Sequence, residues 1–301
     1  MLLDGLLNLL RRHVPPPGPL APSPAAMHSI ASDTVLPDDD DAVWPSARVA
    51  VAEALWGEGH LAPGGDEEVL HIARPLGLSE AASLLLLGAG IGGPACCLAA
   101  ALGAWVSGFE SNTHLVEQAN ERASRRGLAR RARADMWQPV APAFAPHYFH
   151  HAMVLEGLRQ GAAEPVLNAI ARALQPGGQV ALVEVVADRP LDHADHTVAA
   201  WQRLEGRTAA PPTEPGITRL LQRLGFDVRI AEDISRRHLH QVIEGWQSVA
   251  HALEGQVPPP RQMAVLVREA ELWLNRFRLM HSGRLRLVRW HAIGRGGVAL
   301  P

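Results

Sequence analysis

Leu84-Leu85-Leu86-Leu87-Gly88-Ala89-Gly90-Ile91-Gly92-Gly93 is the stretch whose reading decides the fold. An uninterrupted apolar run of this kind suits a strand buried on both faces of a parallel sheet. The glycines that follow allow a tight turn and a close approach of backbone to a ligand. Pro94 is suited to the first turn of a helix over 94–102, whose free N–H groups face the same place. Strand, glycine turn and helix together predict a nucleotide-type site at the carboxyl end of the strand.

Working outward, the chain alternates short β-type runs with longer helical ones, the signature of parallel strands joined by crossover helices. Strands are expected near 84–87, 105–109, 130–134, 149–155, 179–186, 226–231 and 285–293, with helices at 113–126, 239–253 and 262–280. Glu110 ends the second strand roughly 20 residues after the glycine turn, where a carboxylate can accept from both hydroxyls of an adenosine ribose. Asp135 follows the third strand, in reach of an adenine amino group. Leu174-Gln175-Pro176-Gly177-Gly178-Gln179 reads as a helix end and turn entering a strand, because proline halts the helix and glycine supplies positive φ. Gly88, Gly90 and Gly93 also satisfy G-x-G-x-x-G, so NAD or FAD chemistry stays open on the motif alone. Against it stands position: an ordered-looking segment from Val43 to Ser83 precedes a turn that dinucleotide domains place near their start.

The order glycine turn, Glu110, Asp135 and Leu-x-Pro-Gly-Gly resembles the class I S-adenosylmethionine-dependent methyltransferases, over about 56–293. Within them, Trp56-Gly57-Glu58-Gly59-His60-Leu61-Ala62-Pro63-Gly64-Gly65 is similar to the segment before the first strand in the phosphoethanolamine, sarcosine and cyclopropane-synthase-like branch. Leu220 to Phe226 and Glu232-Asp233-Ile234 are similar to that branch too. The resemblance implies a doubly wound, Rossmann-like, seven-stranded, mostly parallel sheet with a reversed last strand and additional covering helices. It implies S-adenosyl-L-methionine held by Gly88, Ala89, Gly90, Gly92, Glu110, Ser111, Asp135 and Met136, with Gly64 and Gly65 closing over its methionine end. It also implies a small-molecule methyl acceptor of amine type. The chain departs from the pattern at Leu86, where an acid usually precedes the turn, and at Phe149-His150-His151, where one usually opens the fourth strand. Glu156, just after that strand, is the carboxylate expected near the sulfonium, and His60 is the candidate base, since it titrates near neutral pH in a covering loop. A fold that has kept its binding site and lost turnover is the rival reading.

Composition narrows the rest. With 301 residues and a formal charge of −3, the chain can bury a large core and has no general electrostatic pull toward nucleic acid. Residues 1–42, rich in proline, alanine and aspartate, are expected to form a disordered tail, residues 43–301 the methyltransferase domain, and about 236–282 a helical insertion. The apolar start is broken by Asp4 and runs into Arg11 and Arg12, so it is not read as a signal peptide. No run reaches the roughly 18 apolar residues of a membrane span, and a cytoplasmic protein is expected. Cys96 and Cys97, adjacent in a helix, read as core fillers. His147, His150, His151, His193 and His196 match no compact metal-ligand spacing, so no metal is expected. The arginines between 122 and 133 read as an exposed helix face and loop, and Trp246, Trp273 and Trp290 as packing residues, one of which could instead line an alkylamine pocket. Oligomeric state is not readable from these features.

Overall fold

A computed structural model describes residues 43–254 and 258–295; the expected tail at 1–42 lies outside them. Helices α1 (Ser46–Trp56) and α2 (Gly65–Ala73) come first. Then follow β1 (Ser83–Leu87), α3 (Gly93–Leu102), β2 (Trp105–Glu110), α4 (Thr113–Arg125) and β3 (Ala132–Met136). Next are β4 (Phe149–Leu155), α5 (Ala163–Ala173), β5 (Leu174–Val186), α6 (His196–Glu205) and α7 (Glu214–Arg223). The described residues end with β6 (Phe226–Asp233), α8 (Ser235–Ala252), α9 (Pro260–His281) and β7 (Arg286–Gly294).

The seven strands order as β3-β2-β1-β4-β5-β7-β6. Those from β3 to β5 pair in parallel, and β7 runs antiparallel to both β5 and β6, which is the reversed last strand expected from the sequence. Strand β1 carries the reading of its leucines: Leu84 and Leu86 pack in the core on one face, Leu85 and Leu87 in the core on the other, all fully buried. Full burial of each such side chain stabilises by about 1.5–3 kcal/mol. Strands β2 and β4 leave β1 on opposite sides, so the chain reverses direction of winding there. That places a crevice at the carboxyl ends of β1 and β4, where open α/β sheets bind ligands.

Two readings change. The segment Leu174 to Gly178 is already part of β5, Leu174 pairing with Phe149 before the register shifts; Gly177, at φ +78°, absorbs the irregularity. Helix α2 was hidden by its glycine-rich entry and few apolar residues, but its buried side of Val69, Ile72 and Ala73 gives it a face to pack. Helices α8 and α9 occupy the expected insertion and lie against α1, so the amino-terminal segment and the insertion together roof the crevice.

Candidate active site

The glycine turn is built by close contact rather than by flexibility. Gly88 and Ala89 donate their N–H groups to the Phe109 carbonyl, which docks the turn on β2. A Cβ on Gly88, at φ +81°, would stand 2.2 Å from the Leu155 carbonyl oxygen. Gly93 donates to the Gly59 carbonyl at 3.0 Å, binding the turn to the loop before α2. Arg122 completes this junction: its Nε donates to the Ile91 carbonyl at 3.0 Å, Nη1 to Glu58 at 2.7 Å and Nη2 to Glu53. Arg122 is therefore buried, not part of an exposed basic face.

Glu110 ends β2 with only 4% of its surface exposed. Its carboxylate accepts from the Gly90 N–H at 3.2 Å and from the Ser111 N–H at 2.8 Å, so β2 and the turn meet at one anion. A small recess beside it is lined by Gly88, Ser111, Trp137, Arg159 and Gln160. Asp135 and Met136 line neither this recess nor the main cavity; Asp135 pairs with Arg133 at 3.2 Å and Met136 is exposed. Trp137, the next residue along and buried, takes the place at the recess that the sequence pattern suggested for them.

The main cavity opens from the other side of the turn and encloses about 1130 Å³ of space, its mouth included. Gly88, Ala89 and Gly90 form one wall, His60 and Gly65 the cover, and α8 and α9 the far side. Gly64, at φ +102°, caps α2 beside Gly65, and Gly92, at φ +88°, caps α3; neither touches the cavity. His60 is buried and hydrogen-bonded to Asp66 at 2.8 Å, which ties the cover loop to α2. Burial, with Arg122 and Arg126 nearby, holds its imidazole below the ordinary value despite Asp66.

Glu156 borders both spaces and adopts φ +48°, a strained backbone for a non-glycine residue at the switch point. Its N–H donates to the Val183 carbonyl at 2.8 Å, and Arg276 from α9 grips both carboxylate oxygens at 2.7 and 2.9 Å. Burial acts to raise the Glu156 carboxyl, and Arg276, Arg207 and Arg159 together outweigh it, leaving the group below its usual value. Behind this pair Arg276 also reaches Glu205 at 3.0 Å, and Arg207 joins Glu205 and Glu184 at 2.8 and 3.2 Å, all buried. Burial pushes the Glu184 carboxyl up against the pull of Arg207. The sequence flagged only Glu156 of this network, because its members sit just after β4, on β5, at and after the end of α6, and on α9.

Other expectations resolve simply. Leu86 lies in the core and touches no cavity, and Cys96 and Cys97 are free and buried, with the Cys97 thiol pushed up to about 12 by burial. His150 is bonded to Ser83 and His193 to Gln202. Trp273 lines the main cavity, whereas Trp246 and Trp290 are core.

The fold is shared with a set of solved proteins. Phosphoethanolamine N-methyltransferase 2 of Haemonchus contortus, solved with S-adenosyl-L-methionine, superposes with a TM-score of 0.71 at 18% identity, over 82% of this chain and 57% of that one. The fold is that of the class I S-adenosylmethionine-dependent methyltransferases. The [4+2]-cyclase SpnF shares this methyltransferase fold, with a TM-score of 0.63 at 18% identity over 83% of this chain and 93% of that one. By sequence, Methyltransferase GfsG of Streptomyces halstedii is 29% identical over 133 residues, 44% of this chain and 48% of that protein. The chain matches about half the length of its curated relatives. No protein-family model matches it.

Proposed function

We propose that this protein transfers the methyl group of S-adenosylmethionine to a small molecule. The observation that carries the reading is Glu110: a buried carboxylate at the carboxyl end of β2, hydrogen-bonded to the glycine turn across the switch point. The residues present fit the cofactor. The turn at Gly88 leaves room for no side chain, the recess beside Glu110 offers Trp137 as a flat apolar wall for a base, and the cavity continues past Gly90 to His60 and Gly65. In this reading Glu110 accepts from the ribose hydroxyls, with Ser111 and Gln160 at the rim, and the Gly88 to Gly90 backbone lies along the methionine part. Gly64 shapes the entry to α2, and Gly65 and His60 cover the site.

When bound, the cofactor supplies a methyl already activated by a positive sulfur, so the protein's task is alignment and exclusion of water. The cover loop, held by Arg122 and by the His60–Asp66 bond, keeps solvent out. Glu156, its oxygens fixed by Arg276, presents an oriented anion between the two spaces and does not act as a base. His60 holds the cover through the bond between its Nε2 and Asp66.

The amine acceptor that the Trp56 to Gly65 segment suggests draws support from the resemblance of that segment and from the likeness in fold to a phosphoethanolamine methyltransferase. A second reading, a ligand-binding or rearranging protein without methyl transfer, is favoured by the likeness to a cyclase of the same fold. Calorimetric titration with S-adenosylmethionine and S-adenosylhomocysteine tests the cofactor directly. Micromolar binding, lost in Glu110→Ala, is expected; a folded wild-type protein that binds neither compound contradicts the proposal.

A further inference from the structure

The far wall of the main cavity limits what can lie against the methyl. Glu68, Glu156, Glu205 and Glu269 are the carboxylates lining it, and every one of their oxygens already accepts a hydrogen bond. Arg237 and Gln241 take the two oxygens of Glu68, Arg276 both of Glu156. Arg276 and Trp201 share one oxygen of Glu205 and Arg207 takes the other, while Arg48 and Trp273 divide Glu269. The aromatic faces are occupied as well: the Arg48 guanidinium lies 4.2 Å from the Trp44 ring centre and that of Arg276 lies 5.1 Å from Trp273. Arg159 adds a cation that forms no ion pair among the described residues. An ammonium group entering here meets only carboxylates that already hold hydrogen-bond donors and indole rings that already carry a guanidinium, and it meets arginines on several sides.

Among the described residues, two polar side chains of this wall carry an unsatisfied atom, Arg276 at its Nε and His238 at its Nε2. His238, on α8, is 5% exposed, its ring lies 5.9 Å from that of Trp273, and its Nε2 is buried with no hydrogen-bond partner. Buried polar groups are nearly always paired, so an orphan in a cavity wall marks a place where a ligand completes the bond. The apolar part of the cavity wall is formed by Val69, Ile72, Ile234, Leu272 and Leu287.

We propose that the acceptor is an uncharged, largely apolar molecule whose hydroxyl hydrogen-bonds to His238, and that the cavity rejects cationic amines. This rests on the methyl-transfer reading and replaces its amine acceptor with an oxygen nucleophile. As the oxygen takes the methyl, the sulfur–carbon bond breaks with its electron pair left on sulfur, the O–H bond breaks, and the proton passes to the imidazole. Burial, with the neighbouring Arg276 on α9 opposing Glu205 on α6, keeps the imidazole neutral well below the ordinary value, so its acceptor lone pair is present at neutral pH.

The test uses 4-hexylphenol and 4-hexylbenzylamine, similar in shape and opposite in the feature at issue. Both are titrated into protein saturated with S-adenosylhomocysteine and followed by thermal shift, and transfer is followed with methyl-labelled cofactor. The phenol is expected to bind saturably and to accept label, and the amine to do neither. His238→Phe should weaken the phenol roughly tenfold or more and His238→Gln less, because Gln keeps a hydrogen-bonding side chain. Unchanged S-adenosylhomocysteine affinity shows that the variants are folded. Equal or stronger binding of the amine, no binding of the phenol, or phenol binding indifferent to His238 overturns the proposal. Failure of the wild type to bind S-adenosylhomocysteine overturns instead the methyl-transfer reading beneath it.

Discussion

Replacing Arg276 with methionine removes the ion pair that joins α9 to Glu156 at the switch point. Arg276 has 5% of its side chain exposed and spans Glu156 and Glu205, so Arg276→Met leaves both buried carboxylates short of a partner. Breaking a buried ion pair from one side costs about 3–5 kcal/mol, far more than the pair's net worth. For a domain of this size each kcal/mol lowers the midpoint by about 2–4 °C, so a fall of about 6–20 °C is expected at pH 7.5. The pH dependence carries the sign. In the wild type the lowered Glu156 carboxyl adds stability above its unfolded value, and that stability fades as acid protonates it. Without Arg276, burial, the largest influence on the group, is opposed only by Arg207 and Arg159, so the carboxyl rises, the folded variant binds more protons than the wild-type fold, and its deficit shrinks as pH falls toward 5. Glu156→Gln combined with Arg276→Met should recover a large part of the loss, since no charge at that position is then stranded. Differential scanning calorimetry of the single and double variants across this range decides it. A midpoint loss below about 3 °C, or a deficit that widens in acid, would refute the coupling drawn here.

Further expectations follow from single positions. Gly88→Ala should unfold earlier than wild type and lose cofactor binding, because it combines a left-handed backbone with a Cβ 2.2 Å from a carbonyl oxygen. Gly177→Ala, at φ +78° with open space around it, should show only the conformational cost of about 1–2 kcal/mol and bind normally, so chemical denaturation of the pair isolates the clash. Burial lowers His60, His151, His238 and His291 below 6.5, so the unfolded chain takes up protons that the folded one refuses. Stability should therefore drop as pH falls below 6.5, and His238→Phe should make that slope shallower; a slope unchanged by the substitution removes His238 from the effect.

How far these features could be read in advance follows from where their partners lie in the chain. The glycine turn and Glu110 are legible because strand, turn and acid fall within one β-α-β unit, where local spacing fixes spatial proximity. The reversed strand β7 was legible through family resemblance, although Arg289 and His291 interrupt its apolar residues. Helix α2 was missed because Gly64 and Gly65 read as loop, although Gly64 in fact sets the left-handed start of the helix. Asp135 was given an adenine-facing role from its position after β3, yet its carboxylate turns to Arg133 and the recess is walled by Trp137. The Glu156–Arg276 pair joins residues 120 apart in sequence, and His238 owes its burial to α9 packing over α8 and α1. Neither leaves a periodic or spaced trace that a single sequence displays.

The most direct test of the central claim is a crystal structure of the protein saturated with S-adenosylhomocysteine. Both ribose hydroxyls are expected within hydrogen-bonding distance of the Glu110 carboxylate, with the base beside Trp137 and the sulfur facing the cavity that contains His238. Density for the nucleoside away from Glu110, or none at saturating ligand, would contradict it.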